Sequence, residues 1–324
     1  MNLETGRGPL HRGSMIRSIA ILSGALLFAA LVPFFGSVLL FLSPLPILYY
    51  YFRLGRMRGL AVVASSVLLA TVILVLLGHR PNLAIVATIV YSGIMIAEVL
   101  KKNYSLNKSV GSAAAALFVA MVAFIAFGAF RAGLSPFQMI ERHLTNLIRE
   151  NVKIYGQLNI PEDQIRLVSE NVPQIAGFFT EIFPALLLAS AIIAVFVNVF
   201  LLHRLLGRTG IVFPGFGDLA LWKAPEKLVW VLIAAGGMLL APLDILNTVA
   251  MNLLIICCLL YLFQGLSIAG FFFRTKKVPP AFRWFFYFLI LIQQYMVILV
   301  IAFGLFDLWV DFRKRISGIN DAHA

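Results

Sequence analysis

The chain has 324 residues, of which 61% are hydrophobic and 12% are charged, and its mean hydropathy is +0.95. A soluble globular protein is about 45–50% apolar and about 25% charged, so this chain has too few charges to form a water-facing surface. The composition excludes a soluble enzyme, a secreted disulfide-rich scaffold and a disordered protein. It predicts an integral membrane protein.

The charged residues are strongly unbalanced, because 26 Lys and Arg residues stand against 14 Asp and Glu residues, a formal net charge of +12. A chain this basic can bind nucleic acid. Here the charges come in short groups between apolar runs and form no continuous basic face. In a membrane protein such groups mark the cytoplasmic loops. We therefore predict that the chain lies in a lipid bilayer and has no nucleic-acid partner.

Residues 1–14 show no structural pattern and are predicted to be a disordered extension, followed by a single transmembrane domain over 15–324. A spanning helix needs about 20 apolar residues. The apolar run over 15–52 is nearly twice that length and is interrupted by Pro33 and Gly36, so it predicts two spans. Further spans are predicted over 60–77, 83–100, 113–130, 178–202, 228–243, 245–273 and 284–310. The sequence thus predicts an all-α polytopic transmembrane helix bundle of eight or nine spans.

Residues 132–173 differ from the predicted spans because they are charged, mixed in sign and still helical in pattern. Phe137, Ile140 and Leu144 recur at helical spacing, and Glu141 and Arg142 lie between them. The pattern predicts an amphipathic pair of helices that lies at the membrane surface or caps the bundle. An ordinary folded loop is the alternative.

The distribution of Lys and Arg predicts the orientation, since these residues are commoner in cytoplasmic loops. With the amino terminus inside, the cytoplasmic segments hold three groups of three and two groups of four, 17 of the 26 Lys and Arg residues. The amphipathic insert over 132–173 is then extracytoplasmic, and a cysteine in place of Gln157 should react with an impermeant thiol reagent outside the cell. Arg313, Lys314 and Arg315 do not fit, because nine crossings place them outside. One miscounted crossing, in the amino-terminal hairpin or in the carboxy-terminal helix, would explain this.

Motifs for catalysis are weak. Gly215-Phe216-Gly217-Asp218 spells the GxGD of intramembrane aspartyl proteases, in which two aspartates share a proton. It has no tyrosine–aspartate partner on a preceding predicted span, and glycine-rich turns are common. The sequence has no HExxH, GxSxG or Walker motif. We therefore predict no enzyme, no cofactor and no metal site.

Polar side chains inside the predicted spans are the candidate binding residues: Asn198, Asn252, Gln264, Gln293 and Gln294. Unpaired polar groups are costly in hydrocarbon, so these residues should face protein or a water-filled cavity. A cavity lined by amides and aromatic rings would suit a neutral or amphipathic small molecule. The alternative is hydrogen bonding between helices, worth about 0.6–2 kcal/mol per contact. Helical geometry places Asn252 and Gln264 on different faces, so Gln293 is the expected partner of Gln264.

One set of residues in the carboxy-terminal third is recognisable by its order and spacing, over 222–225, 228–230, 252, 261–266 and 304–314. With these residues the chain resembles the YybS-like family of bacterial multi-pass membrane proteins, a family of unknown function. The resemblance implies a bacterial protein of the cytoplasmic (inner) membrane. The family looks distantly similar to substrate-capture subunits of energy-coupling-factor vitamin transporters and to the rod-shape protein MreD, which would imply a compact bundle with a binding cavity. The extra spans and the insert over 132–173 depart from a six-span capture subunit.

Two functions follow as hypotheses. The first is a transport or small-molecule-binding component of the membrane, because amides lie within the predicted spans and no catalytic set is present. The alternative is a structural or assembly protein of the cell envelope, an MreD-like scaffold that recruits a membrane-protein partner through its basic loops or its amphipathic insert. A co-purifying small molecule would favour the first hypothesis, and a stoichiometric envelope partner would favour the second.

Overall fold

A computed structural model of the chain describes residues 12–31, 41–79, 83–102, 104–157, 161–207 and 218–317. Within these ranges the secondary structure is helical and contains no strand, which confirms the all-α prediction. Among the described residues, the helices up to residue 207 are α1 (Arg12–Leu31), α2 (Pro44–Leu54), α3 (Arg56–Leu76), α4 (Leu83–Leu100), α5 (Leu106–Arg131), α6 (Pro136–Tyr155), α7 (Glu162–Glu170) and α8 (Val172–Gly207). A 3-10 turn (Leu219–Leu221) precedes α9 (Leu228–Met238), α10 (Asp244–Thr275), α11 (Pro280–Ile292), α12 (Gln294–Val310) and α13 (Phe312–Ser317).

Several of these helices are long and apolar enough to cross a membrane. They are α3, α5, α8 and α10. The pair α11–α12 passes the same test together, although its axis turns by 108° at the break, and shorter apolar helices run over Met15–Phe28, Val86–Leu100 and Leu228–Met238. The described residues therefore confirm a multi-pass membrane protein, in which four helices, or five spans if the bent pair is one span, are long and apolar enough to cross a membrane. The number of eight or nine crossings stays a prediction.

The last predicted span, over 284–310, is not one straight helix. Gln293 has φ −101° and ψ 108°, which are extended values, and it separates α11 from α12. Apolar residues continue on both sides of Gln293 and Gln294, so the average hydropathy of this segment does not reveal the turn.

Two compact units make up the chain, the first over 1–121 with 190–215 and the second over 122–189 with 216–324. The prediction of a single domain is not decided by this division. The predicted extension over 1–14 lies mostly outside the described residues, and α1 begins at Arg12.

In the first unit, α1 to α4 enclose a core formed by Leu22, Ile47, Tyr50 and Val62 with their neighbours. Gly59 allows α2 and α3 to come together, since a Cβ atom there would lie 2.7 Å from the Cα atom of Tyr51. Small residues at helix crossings are typical of membrane bundles.

In the second unit, α10 and α12 touch through their backbones. A Cβ atom on Gly265 would lie 2.0 Å from the carbonyl oxygen of Val300, and one on Gly304 would lie 2.0 Å from that of Tyr261. The two glycines permit a crossing that no larger residue would allow.

The insert over 132–173 forms α6, α7 and the start of α8, so its helical pattern is confirmed. Ser135 and Gln138 form a capping box at the start of α6, in which each side chain accepts a hydrogen bond from the other residue's backbone N–H. No residue of α6 is buried, and Phe137 and Ile154 are exposed. Its extracytoplasmic position stays a prediction.

Candidate functional site

A cluster of buried polar side chains lies in the second unit, where the 3-10 turn, α10, α12 and α13 meet. Its members, here called the Arg313 cluster, are Gln264, Ser267, Asp307 and Arg313, and each is between 2% and 8% exposed. Two of the four carry a full charge, which is costly to bury unless the charges are paired and hydrogen-bonded.

Arg313 has both a charged partner and uncharged hydrogen-bond acceptors. Its Nη1 atom lies 2.6 Å from Oδ2 of Asp307, and both side chains of this ion pair are almost completely buried. The Nε atom donates to the carbonyl oxygen of Ala220 at 3.1 Å. The Nη2 atom donates to the carbonyl oxygen of Trp222 at 2.8 Å and to Oγ of Ser267 at 3.0 Å. One guanidinium group thus joins α13 to α12, to α10 and to the loop that follows the 3-10 turn.

Gln264 completes the same connection with its amide. Its Nε2 atom donates to Oδ2 of Asp307 at 3.0 Å, and its Oε1 atom accepts from the backbone N–H of Ala224 at 3.1 Å. The expected contact between Gln264 and Gln293 is therefore wrong, because Asp307 occupies that place in the structure.

A turn after α12 brings Arg313 back onto Asp307. Asp311 adopts a left-handed conformation with φ 43° and ψ 66°, and the other carboxylate oxygen of Asp307 accepts from the backbone N–H of Phe312 at 2.9 Å. The spacing of six residues between Asp307 and Arg313 is the sequence signal that was missed. In the predicted topology, Arg313 lies beyond the last span with Lys314 and Arg315, and its burial was not predicted.

Asp218, the aspartate of the GxGD tetrapeptide, lies beside the cluster and pairs with Arg274 of α10. Gly215, Phe216 and Gly217 lie outside the described residues. Burial by itself would raise the pKa of Asp218, but the hydrogen bond and charge of Arg274 and the N–H of Ala220 outweigh it and hold that pKa below its usual value. Asp218 therefore stays charged, whereas an aspartyl protease requires a carboxyl group that retains a proton.

Asn252 bonds to the turn of α8 that contains Pro184. Pro184 lies inside that helix, where a proline disturbs the hydrogen bonds of the surrounding turn. The N–H of Ala185 donates to Oδ1 of Asn252 at 2.8 Å, and Nδ2 of Asn252 donates to the carbonyl oxygen of Glu181 at 2.8 Å. In an unbroken helix, Ala185 and Glu181 would bond directly to each other. The amide of Asn252 thus joins the two groups that bond to each other in a regular helix.

The other candidate binding residues, Asn198, Gln293 and Gln294, make no hydrogen bond with Asn252 or Gln264 among the residues that the structure describes. Asn198 is fully buried in the first unit, where its Nδ2 atom donates to the carbonyl oxygens of Phe41 and Ala194 at 3.0 and 2.7 Å. Gln293 and Gln294 are exposed at the break between α11 and α12. Asn252 and Gln264 are twelve residues apart, about 18 Å along α10. Asn252 and Gln264 therefore have different partners, and ligand binding by any of the candidates stays a prediction.

The first unit has a polar cluster of its own at its basic helix ends. The hydroxyl of buried Tyr51 donates to Glu98 and accepts from Nζ of Lys101 at 2.9 Å, and Nε of Arg56 lies 3.0 Å from Oε1 of Glu98. The same unit carries an apolar groove of about 510 Å³ between α3 and α4, lined by aliphatic side chains such as Val63, Val67 and Ile94, with the hydroxyl of Thr71.

Comparison with known proteins identifies the chain. Residues 19–308 match the family described as "Predicted membrane protein (DUF2232)". The chain belongs to this family. This DUF2232 protein is also 22% identical over 324 residues to "Uncharacterized protein YybS" of Bacillus subtilis (strain 168), an alignment that covers 97% of this chain and 100% of that protein. The YybS-like resemblance and the membrane location are confirmed, and a bacterial relative agrees with the inner membrane.

No solved structure matches this DUF2232 protein. The similarity to capture subunits and to MreD therefore stays a prediction. Five of the residues that carried the resemblance meet at one place, since Trp222, Ala224, Gln264, Asp307 and Arg313 all belong to the Arg313 cluster or bond to it.

Proposed function

We propose that this DUF2232 protein is a structural or assembly protein of the bacterial cell envelope, and that its carboxy-terminal unit presents a fixed basic surface to a membrane-protein partner. The observation that carries the proposal is the Arg313 cluster. Each nitrogen atom of the Arg313 guanidinium donates to an oxygen atom of the protein, and these bonds hold a loop and a short helix against α10. This bonding favours a structural role for the buried charges over ligand binding.

The position of the cluster on α10 supports a place at the membrane surface. With 32 residues, α10 is about 48 Å long, whereas the hydrocarbon core is about 30 Å thick. If Asp244 lies at one edge of the core, the opposite edge falls near Gln264. The last turns of α10, with Ser267 and Arg274, then project beyond the hydrocarbon together with the loop that they bind.

The elements joined by the cluster carry many cations. The exposed ones, here called the basic surface, are Lys223, Lys227, Arg274, Lys276, Lys277, Lys314 and Arg315. Because the loop is fixed by Arg313 and Gln264, these charges keep a defined arrangement, which favours recognition of one acidic protein surface.

Photo-crosslinking in native membranes tests this proposal. A photoreactive residue in place of exposed Thr275 should capture one stoichiometric membrane protein. Lys276→Gln combined with Lys277→Gln should lower the yield by about tenfold, the effect of about 1.4 kcal/mol on binding, at an unchanged amount of protein in the membrane. The matched control is Arg149→Gln with Lys153→Gln, which removes two exposed cations from α6.

Two results would count against the proposal. One is the absence of any stoichiometric partner in protein that is shown to be folded. The other is an equal crosslinking yield from the Lys276 and Lys277 variant and from its control.

Binding of a small amphipathic molecule is the second candidate, and the groove between α3 and α4 favours it. Its aliphatic lining with one hydroxyl would accept a hydrocarbon chain. Native mass spectrometry of the purified protein should then detect a retained lipid that is lost in Ala64→Phe, which fills the groove, and kept in Ala61→Phe, an exposed position of the same helix. Equal retention in both variants would remove the groove from consideration.

A further inference from the structure

The helix pair α11–α12 begins and ends at the same end of α10. In the first turn of α11, Arg283 donates to the carbonyl oxygen of Phe273 at 3.3 Å. Just beyond α12, Arg313 donates to Ser267. Ser267 and Phe273 are six residues apart, about 9 Å along α10. A pair that crossed a hydrocarbon core of about 30 Å would not return to nearly the same level of a spanning helix.

The surface of α11 shows where the pair goes between these two ends. None of its residues is buried, and Trp284, Phe285, Phe288 and Leu291 are between 56% and 85% exposed. So large an apolar surface is stable in lipid and unfavourable in water. The path from Arg283 to Gln293 is about 15 Å long, and the return path from Gln294 to Asp307 is about 20 Å long. Even with a turn of 108°, these lengths place the tip of the pair within the hydrocarbon.

The tip is polar. Gln293 and Gln294 are exposed there, and neither side-chain amide makes a hydrogen bond within the part of the chain that the structure describes. Carbonyl groups at the end of α11 and N–H groups at the start of α12 also lack partners in their own helices. Exposed polar backbone does not persist in lipid unless protein or a water-filled cavity covers it.

We propose that α11–α12 is a re-entrant hairpin and that its tip, Gln293 and Gln294, is the contact with a second copy of this chain. A glutamine amide carries both donors and an acceptor, and the two helix ends add N–H and C=O groups. Two identical tips related by a two-fold axis therefore satisfy each other, which a purely accepting or purely donating surface would not allow. The inference does not depend on the proposed function.

A re-entrant pair also accounts for the exception in the charge distribution. It adds no crossing, so Arg313, Lys314 and Arg315 lie on the same side as Arg274 and the loop after the 3-10 turn. The cytoplasmic orientation of that loop then extends to the carboxy-terminal helix.

Disulfide crosslinking tests the contact in native membranes. In full-length protein with Cys257→Ala and Cys258→Ala, Tyr295→Cys places a thiol beside the tip and leaves both glutamines intact. Tyr295 is 78% exposed, and the matched control, Trp284→Cys, replaces a residue that is 76% exposed at the other end of the hairpin. Mild oxidation should give a product of twice the chain mass from Tyr295→Cys only. Adding Gln293→Leu and Gln294→Leu should lower that yield by about fivefold or more, whereas Gln164→Leu on exposed α7 should not.

Labelling of the Tyr295→Cys thiol is the second measurement, and it tests whether the tip lies in lipid. Without oxidant, a membrane-impermeant maleimide should leave Tyr295→Cys unmodified. Modification of that thiol would place the tip in water and overturn the re-entrant hairpin. A protected thiol without a dimer would leave the hairpin in lipid and would overturn the second copy. An unchanged dimer yield in the two leucine variants would overturn the role of the amides.

Discussion

Removing Arg313 while keeping Asp307 should destabilise the protein strongly. Arg313→Met leaves a carboxylate that is 2% exposed without its counter-charge, and it also removes the hydrogen bonds to Ala220 and Trp222. Breaking one partner of a buried ion pair costs about 3–5 kcal/mol. Gln264 and the N–H of Phe312 still bond to the carboxylate, so we expect the lower end, about 3 kcal/mol.

A double-mutant cycle separates the ion pair from general damage. Asp307→Asn removes the charge and keeps the shape, so Asp307→Asn with Arg313→Met leaves no buried charge behind. The double variant should be more stable than the sum of the two single effects implies, with a coupling of about 1–3 kcal/mol. Reversible unfolding in mixed micelles, at increasing denaturing detergent, measures all four proteins.

Arg315→Met is the control for the loss of a cation from the same short helix. Arg315 is exposed, and we expect a change within about 0.5 kcal/mol. If Arg313→Met costs no more than Arg315→Met, or if the cycle shows no coupling, the buried ion pair does not hold this unit together and the reasoning fails.

Three further predictions follow from single contacts. Asn252→Leu should destabilise the protein by about 1–2 kcal/mol in the same unfolding assay. Adding Pro184→Ala should recover most of this loss, because alanine allows a regular backbone hydrogen bond in this turn of α8. No recovery would contradict the role of Asn252 in bonding to this turn. Gly265→Ala should lower the melting temperature and increase aggregation, since its Cβ atom meets the Val300 carbonyl, whereas Gly270→Ala, with nothing within 4 Å, should not. Asp218→Asn should reduce stability at neutral pH but not in acid, because the pKa of Asp218 is lowered in the folded state. The stabilisation by the charged carboxylate is complete above the unfolded-state pKa of about 3.9, and it is lost as the pH falls through the folded-state pKa. Thermal unfolding of both proteins between pH 3 and pH 7 measures this difference, and a constant difference would contradict the ion pair with Arg274.

Long apolar runs were the part of the fold that the sequence predicted well. The bounds of α4 are those expected, and α10 extends the expected helix by one or two residues at each end. The reason is physical, because the thickness of the bilayer sets the length of an apolar run that crosses it. Helix existence and composition are thus encoded locally.

The reversal at Gln293 was not predictable by the same means. Hydropathy sums the composition of a window, and an apolar segment has the same sum whether it continues straight or turns back. The direction of α12 is set instead by its backbone contact with α10 through Gly265 and Gly304, which depends on residues about 40 positions apart.

The sequence predicted which amide side chains lie within the spans, but it did not predict their hydrogen-bond partners. Asn252 bonds to a helix turn 67–71 positions earlier, and Gln264 bonds to an aspartate 43 positions later. The prediction treated Arg313 as a topology signal, since most arginines near span ends face water. Its burial depends on the left-handed turn at Asp311, a conformation that aspartate tolerates but adopts in few places, so the residue type alone did not indicate it.

Arg313 bonds to residues that precede it by many positions in the sequence, and this has a consequence for biosynthesis. Ala220 is translated 93 residues before Arg313, and Ser267 is translated 46 residues before it. Throughout that interval the loop carbonyls lack the guanidinium of Arg313, and the bonds from Ser267 to Leu219 and Trp222 and from Ala224 to Gln264 connect the loop to α10 without it. Because domains are completed in the order of synthesis, this unit should stay open to proteases and chaperones until α13 emerges. A ribosome stalled before Arg313 would therefore hold a chain that is inserted but still cleavable within residues 218–227.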